Sequence, residues 1–253
     1  MDAYFDFTGL YDRNRDTLLP GAEYVSFRDL KETDLYCSDE AKAEIRRRIA
    51  GVSPSGVHFI DSGNFHYMTM FMTEKIDQPY GLVVFDHHTD MKPAAFGGML
   101  SCGSRILNTL KEQENLMKVV LIGPPEKARQ TIPQEMRDRI VFINEEVMRG
   151  KYNSGNDDFW AKVYENTSGK NLYFSLDLDI LDRRYAVTDW DQGTVSLRVL
   201  CRQTEILMKN SHVLGADICG GLKSPESGDA QTADTLNLQT AAQLYEQIHP
   251  FLE

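Results

Sequence analysis

Short apolar runs alternate with longer amphipathic stretches along most of this chain. Several of the runs, such as Leu82–Phe85 and Val119–Ile122, are almost entirely Val, Ile, Leu and Phe, which is typical of strands buried on both faces of a parallel sheet. The runs predict strands at Tyr24–Phe27, Val57–Ile60, Leu82–Phe85, Val119–Ile122, Ile140–Ile143, Leu172–Leu176 and Val213–Ala216.

The stretches between these runs have the features of helices. Ser38–Ile49 begins with an N-capping serine followed by acids and ends in three arginines, which is the order that the helix dipole favours. Ser196–Met208 and Thr232–Ile248 show a similar pattern. Strands that alternate with helices predict an α/β fold with a mostly parallel sheet, whose ligand sites lie at the carboxyl ends of the strands. Because no repeat or long linker interrupts the pattern, residues 1–253 are predicted to form a single domain.

Composition excludes several classes of protein. The net charge of −11, from 38 acids and 27 bases, argues against non-specific nucleic-acid binding. No apolar run approaches the roughly 20 residues that span a membrane, and the acidic N-terminal segment does not resemble a signal peptide. The four cysteines form no CxxC pair, so we expect reduced thiols and a cytoplasmic location.

Candidate metal ligands follow one of these strands. Directly after Phe85, the residues Asp86, His88 and Asp90 occupy alternate positions. In an extended segment their side chains would lie on one side, and His87 would point away. On its own, such a segment is also compatible with an ordinary loop whose aspartates cap turns.

A second acidic cluster makes the loop interpretation harder to sustain. Asp177 and Asp179 follow the strand Leu172–Leu176, again at alternate positions. Burying carboxylates this close together costs several kcal/mol unless a cation compensates, and carboxylates combined with imidazoles suit divalent metals such as Mn²⁺. The two clusters together predict a shared metal site. His66 follows a third strand and could reach that site, although a histidine there is also common at a helix start.

These segments resemble the arginase/agmatinase (ureohydrolase) superfamily. The family's Gly-Gly-Asp-His, Asp-Ala-His-x-Asp and Ser-x-Asp-x-Asp-x-x-Asp-Pro motifs are similar to Gly63–His66, Asp86–Asp90 and Ser175–Asp182. The similarity runs from about residue 57 to the C-terminus, while the first roughly 50 residues match weakly. The first motif is a loose match, whereas the second and third are specific in combination.

The resemblance implies a three-layer α/β/α sandwich that holds two Mn²⁺ ions. Asp86 and Asp177 would bridge the ions, His66 and Asp90 would complete one of them, and His88 and Asp179 would complete the other. A hydroxide between the metals would be the nucleophile that cleaves a C–N bond. Fe²⁺, Zn²⁺ or Ni²⁺ could replace Mn²⁺, and relatives are often homo-oligomers.

Several positions depart from the family pattern. Cys102 replaces a proton-shuttling histidine, which makes Cys102, with Asp90, a candidate catalytic residue; a thiol without a role is the alternative. Gly220 replaces the glutamate that binds the guanidinium, and Glu226 could reach in from the next loop. Lys92 would favour an anionic substrate group and Trp190 could form a pocket wall, although both are also compatible with ordinary surface positions.

The departures leave two functional hypotheses open. The first is a binuclear manganese hydrolase for a small amidine-, guanidine- or amide-like substrate, with true arginase activity doubtful. The second is a family member that binds metal but has lost hydrolysis, and acts as a sensor or interaction protein. Combining Cys102→His with Gly220→Glu is expected to create guanidine hydrolysis if the scaffold is competent.

Overall fold

A parallel sheet of eight strands forms the centre of the computed structural model, which describes residues 1–93, 96–150, 156–223 and 230–252. The strands of this sheet are β1 (Ala3–Asp6), β2 (Glu23–Ser26), β4 (Val57–Ile60), β5 (Tyr80–Phe85), β7 (Leu116–Ile122), β8 (Ile140–Ile143), β9 (Asn171–Asp177) and β10 (His212–Cys219). Their order across the sheet is β2-β1-β4-β10-β9-β5-β7-β8. A separate antiparallel pair joins β3 (Tyr36–Cys37) to β6 (Leu100–Ser101).

Helices cover both faces of the sheet. One side carries α2 (Asp39–Arg48), α3 (Met68–Thr73) and α4 (Arg105–Glu112), which pack into one apolar cluster. The other side carries α5 (Glu145–Met148), α6 (Asn156–Thr167), α7 (Leu197–Lys209) and α8 (Ala230–Ile248), while the short α1 (Leu10–Arg13) follows β1. The result is the expected three-layer α/β/α sandwich. That residues 1–253 form a single domain stays a prediction.

Burial on both faces explains the continuous apolar runs. Along β5, Leu82 and Val84 face one helical layer while Val83 and Phe85 face the other, and all four are buried. Alternate residues of such a strand both need apolar side chains, so the period-two pattern of a half-exposed strand is lost. The same reasoning covers β7 and β9.

The predicted elements agree with most of these assignments. All seven predicted strands are present, and Ser38 caps α2 by accepting a hydrogen bond from the backbone N of Ala41 at 3.2 Å. The strands β1, β3 and β6 and the helices α1, α4, α5 and α6 were not predicted. β1 contains only three apolar residues between flanking aspartates, and this run is too short to stand out. Among the described residues, no helix has the length and apolarity required to cross a bilayer.

His58, in the middle of β4, is a buried imidazole that supports the packing between sheet and loop. Its Nε2 lies 3.0 Å from the carbonyl oxygen of Ser53 and its Nδ1 lies 3.0 Å from the hydroxyl of Tyr173. A carbonyl can only accept, so Nε2 carries the proton in the neutral ring and Tyr173 donates to Nδ1. Burial lowers the pKa of His58 to about 4, against an opposing effect of Asp217.

This burial predicts acid-sensitive stability. In the unfolded chain the imidazole takes up a proton near its ordinary pKa, whereas the folded chain resists protonation, so the unfolded state binds more protons as the pH falls. Between about pH 7 and about pH 5, His58 alone is expected to remove about 2 kcal/mol from the free energy of unfolding. Urea unfolding of the wild type and His58→Gln at both pH values measures this contribution as the difference between their pH dependences.

The exposed His212→Gln is the matched control for that experiment. A pH dependence that is identical in wild type and His58→Gln would contradict the assignment of a neutral, buried imidazole.

Candidate metal centre

The central carboxylates of the site lie at the carboxyl ends of two neighbouring strands. β5 and β9 pair in parallel with Phe85 opposite Leu176, so the next residues, Asp86 and Asp177, leave the sheet side by side. Both are buried, with exposures of 2 % and 3 %. The strand order therefore brings together two motifs that are about 90 residues apart in the chain.

Tight turns, rather than extended chain, make the ligands converge. Asp86 Oδ1 accepts a hydrogen bond from the backbone N of His88 at 2.6 Å, and Asp177 Oδ1 accepts from the backbone N of Asp179 at 2.8 Å. Each aspartate thus caps the turn that returns the next ligand towards it. The expected convergence is present, but the predicted reason for it was wrong. His87 also lines the cavity, but it belongs to none of the described groups of possible metal ligands.

Asp86, His88 and Asp179 form the half of the site that opens to the surface. His88 Nδ1 lies 2.8 Å from Asp179 Oδ2 and 3.5 Å from Asp86 Oδ1. One ligand atom from each residue lies within 4.8 Å of the other two, and the His88 side chain is 30 % exposed. Two carboxylates and an imidazole at this spacing fit a divalent cation.

His66 lies on the opposite, deeper side of the same carboxylates. Its Nδ1 is 2.8 Å from Asp177 Oδ2 and 3.6 Å from Asp86 Oδ2, while Nε2 is 2.9 Å from Ser175 Oγ. Ser175 in turn donates to Asp217 Oδ1 at 2.8 Å, so its hydroxyl oxygen is free to accept from Nε2. This chain of contacts turns Nδ1 towards the carboxylates, and it is the kind of outer support that orients a metal-binding imidazole.

Without a metal ion, protons bound to the histidines provide the positive charge that offsets the clustered carboxylates. Burial and Arg105 act to lower the pKa of His66, but Asp177 and Asp217 outweigh them and raise it to about 10. For His88, burial likewise acts to lower the pKa, and hydrogen bonds to Asp179 and Asp86 raise it to about 12. Burial, together with Asp177 and Asp86, raises the pKa of Asp179 well above its usual range. A divalent cation would replace these protons as the positive charge.

Arg105 pairs with carboxylates of the same cluster. It was not among the predicted site residues. It is the first residue of α4, it is 1 % exposed, and it forms two ion pairs. Its Nε lies 2.7 Å from Asp90 Oδ2 and its Nη2 lies 3.1 Å from Asp86 Oδ2. An arginine in the first turn of a helix opposes the helix dipole, and this was the available signal that it has acidic partners elsewhere.

The two halves therefore differ in how well they fit a metal ion. The half with His88 fits one divalent cation. The half with His66 has ligand atoms from His66, Asp86 and Asp90 within 4.8 Å of one another, but the guanidinium of Arg105 already pairs with two of these residues. A second ion does not fit among these three residues while Arg105 keeps this position. His66, Asp177 and Cys219 form another group with the same spacing, but the Cys219 thiol donates to the carbonyl oxygen of Ser62 at 3.4 Å, and a protonated thiol is a poor ligand for a hard cation such as Mn²⁺.

A cavity of about 610 Å³ opens above the cluster. Trp190 forms one wall, where its Nε1 donates to Asn64 Oδ1 at 3.0 Å and its ring meets the ring of His88 edge-on at 5.7 Å. A Cβ at Gly63 would lie 3.0 Å from the Trp190 ring, so the ring would have to shift to admit a side chain there. Lys92 and Lys127, both exposed, also line the cavity.

Cys102 lines the cavity with only 8 % of its surface exposed. Burial, and then Asp90, raise the pKa of this thiol to about 12. Cys102 is therefore a neutral thiol at physiological pH. A catalytic role for Cys102 or Asp90 stays a prediction, as does substrate contact by Lys92 and Trp190.

Gly220 lies behind Asp177 and is not one of the described residues that line the cavity. Its φ is +113°, and a Cβ there would overlap Asp177 Oδ1 and lie 2.9 Å from the backbone N of Leu178. No side chain, least of all a glutamate, fits this position. That Gly220 contacts a substrate stays a prediction, and Glu226 lies outside the described residues.

Comparison with known proteins identifies the class. The model of the Arginase family matches residues 19–236. An uncharacterized protein of Thermotoga maritima is 31 % identical over 245 residues, covering 96 % of this chain and 90 % of that protein. Among solved structures, the proclavaminate amidino hydrolase of Streptomyces clavuligerus superposes with a TM-score of 0.68 at 14 % identity, covering 100 % of this chain and 91 % of the other.

The formimidoylglutamase of Bacillus subtilis superposes with a TM-score of 0.65 at 14 % identity, covering 98 % of this chain and 87 % of the other. The chain belongs to the arginase family. The resemblance recognised in the motifs is thus confirmed, and it begins earlier than residue 57 because the family match includes the segment from residue 19.

Proposed function

We propose that this protein is a metal-dependent hydrolase that cleaves a C–N bond in a small amidine-, guanidine- or amide-like molecule. The observation that carries the proposal is the cluster of Asp86, His88 and Asp179 at the base of the 610 Å³ cavity. A volume of this size suits a small molecule. Membership of the arginase family supports hydrolysis as the reaction class.

Different residues of the site would bind the metal ion and confine the substrate. Asp86, His88 and Asp179 would hold a divalent ion, and such an ion supplies a Lewis acid that lowers the pKa of water enough to make it a nucleophile near neutral pH. Trp190, braced by Asn64, would confine the substrate next to His88. Mn²⁺ as the metal, a cytoplasmic location and a homo-oligomeric assembly stay predictions, whereas a second ion at His66, Asp86 and Asp90 would have to displace Arg105.

The walls of the cavity favour a substrate other than arginine. A guanidinium loses its charge-assisted partner because Gly220 has no room for a carboxylate. Lys92 and Lys127 place two positive charges along the wall, and Asp191 places one negative charge there. This balance supports an amidine or amide substrate that carries an anionic group, which the lysines would attract.

The alternative is a metal-binding protein without hydrolytic activity. The neutral thiol of Cys102 and the missing carboxylate at Gly220 favour it, because both replace groups that the family resemblance assigns to guanidine hydrolysis. Under this alternative the metal cluster would remain intact, and the cavity would bind a ligand without turnover.

A substrate screen separates the two. Protein stripped with a chelator and reloaded with Mn²⁺ is tested for ammonia or urea release from guanidines, amidines and amides, each with and without a carboxylate. We expect turnover of at least one anionic amidine or amide, and a loss of at least about 100-fold when the chelator is returned. Metal-loaded protein that binds members of the panel but turns over none would contradict hydrolysis and support the alternative.

A further inference from the structure

Arg105 occupies an unusual place for a charged side chain. It is 1 % exposed at the start of α4, beneath the metal cluster rather than at the surface. A guanidinium stays protonated even when it is buried, so it brings a permanent positive charge into the site. Such a charge is tolerated in the interior only when acids compensate it, and Asp86 and Asp90 do so.

The two carboxylate oxygens of Asp86 have different partners, and Arg105 pairs with only one of them. Oδ1 accepts from the backbone N of His88 and faces its ring at 3.5 Å. Oδ2 faces His66 at 3.6 Å and pairs with Arg105 at 3.1 Å. Arg105 therefore takes the oxygen on the His66 side and leaves the oxygen on the His88 side available.

Asp90 is held against Arg105 by its backbone as well as its side chain. Its carbonyl oxygen accepts from the backbone N of Ile106 at 3.1 Å and of Leu107 at 3.4 Å, while Oδ2 pairs with Arg105 at 2.7 Å. Asp90 also has a φ of +48°, a left-handed conformation that is uncommon for residues other than glycine and that aspartate tolerates better than most. The first turn of α4 thus fixes both partners of this ion pair.

The half with His88 has no such cation. In the described part of the chain, no lysine or arginine forms an ion pair with Asp179, whose oxygens accept from the backbone N of His87 and face His88. An ion among His66, Asp86 and Asp90 would lie close to the guanidinium and would compete with it for the same oxygens. An ion at His66, Asp177 and Cys219 would depend on a thiol that donates to the carbonyl oxygen of Ser62. An ion placed beside His88 meets neither obstacle.

We propose that the protein binds a single divalent ion, at Asp86, His88 and Asp179, and that the guanidinium of Arg105 takes the place of a second ion. The inference shares the metal cluster with the proposed function, and it concerns the number of ions rather than turnover. A single ion would replace the two-ion arrangement that the family resemblance implies.

Mn²⁺ titration tests this directly. Calorimetry and metal analysis count the ions per chain, and low-temperature electron paramagnetic resonance distinguishes an isolated Mn²⁺ from a spin-coupled pair. The wild type is expected to bind one isolated ion. Arg105→Met, which removes the charge but keeps an unbranched side chain, is expected to bind a second, coupled ion at least about 100-fold more tightly than any second ion in the wild type.

Two further variants control for charge and for arginine loss in general. Arg105→Lys keeps a cation at the site and is expected to bind one ion, as is Arg198→Met on the exposed face of α7. A coupled pair in the wild type, or a single ion in folded Arg105→Met, would overturn the inference. If Arg105→Met fails to fold, the wild-type resonance signal still decides between one ion and a pair.

The outcomes also separate this inference from the proposed function. A coupled pair with turnover would remove the role of Arg105 and leave the hydrolase proposal standing. One isolated ion without turnover on the substrate panel would support the role of Arg105 and contradict the hydrolase proposal.

Discussion

Asp179→Asn is expected to lower the affinity for Mn²⁺ by roughly 100-fold or more and to remove the metal-dependent hydrolysis with it. Asp179 supplies an oxygen 2.8 Å from His88 Nδ1 and does not contact Arg105, so its loss affects only the half of the site that we assign to the ion. Asparagine has nearly the same shape and can still accept the hydrogen bond from the backbone N of His87. The change therefore removes a charge with little change in packing.

Asp179→Asn is not expected to lower the free energy of unfolding of the metal-free protein, although it weakens metal binding. Burial and the neighbouring Asp177 and Asp86 make a charge on Asp179 unfavourable, as its raised pKa records. The metal-free variant is thus expected to be at least as stable as the metal-free wild type. Mn²⁺ should stabilise the wild type by about 2.7 kcal/mol at 100 times Kd, and this gain should disappear in Asp179→Asn.

Thermal unfolding with and without Mn²⁺, together with calorimetric titration, measures both effects. Asp182→Asn is the matched control, because Asp182 lies in the same loop but pairs with Arg184 at the surface. Equal Mn²⁺ affinity in wild type and Asp179→Asn would show that the ion binds elsewhere.

The second large effect is expected at Gly220. Alanine there would adopt an unfavourable φ of +113° and place its Cβ against Asp177 Oδ1 and the backbone N of Leu178. Strain and overpacking together are expected to cost about 3 to 4 kcal/mol of the free energy of unfolding. Because Asp177 Oδ1 also accepts from the backbone N of Asp179, the overlap should disturb the metal cluster as well.

Gly21→Ala separates the two contributions. Gly21 has a similar φ of +87° but nothing within 4 Å of the added Cβ, so it reports the strain alone. Urea unfolding should show a cost for Gly220→Ala that exceeds the cost for Gly21→Ala by at least about 1 kcal/mol. Equal costs would mean that the space behind Asp177 can accept a side chain.

This close packing changes the outcome expected for restoring the family residues. Gly220→Glu combined with Cys102→His was expected to create guanidine hydrolysis on a competent scaffold. The structure gives a glutamate at Gly220 neither space nor a favourable backbone, so the double variant should lose stability instead of gaining an activity. A carboxylate for a guanidinium would have to come from another position.

Much of the fold could be predicted because the sheet is buried on both faces. The apolar runs around Val83 and Phe174 had to be nearly continuous, and this made them easy to recognise. The strand order could not be read from those runs, since parallel neighbours are set by packing among distant segments. β5 and β9 lie side by side although the helices α4, α5 and α6 and the sheet strands β7 and β8 separate them in the chain.

The site was predictable in its ligands but not in its electrostatics. Strand-end aspartates and histidines are visible as motifs, and Asp86, His88 and Asp179 lie together as expected. The position of Arg105 depends on the turn that precedes α4 and on the left-handed backbone of Asp90, neither of which the motifs contain. The family resemblance therefore implies two ions, whereas one cation of this site, Arg105, is already part of the chain.

Anomalous X-ray diffraction from crystals grown with saturating Mn²⁺ locates and counts the bound ions. We expect one anomalous peak within bonding distance of Asp86, His88 and Asp179, with Arg105 still paired to Asp86 and Asp90. Two peaks at the cluster would contradict the single-ion site, and no peak at these three ligands would contradict the metal centre itself.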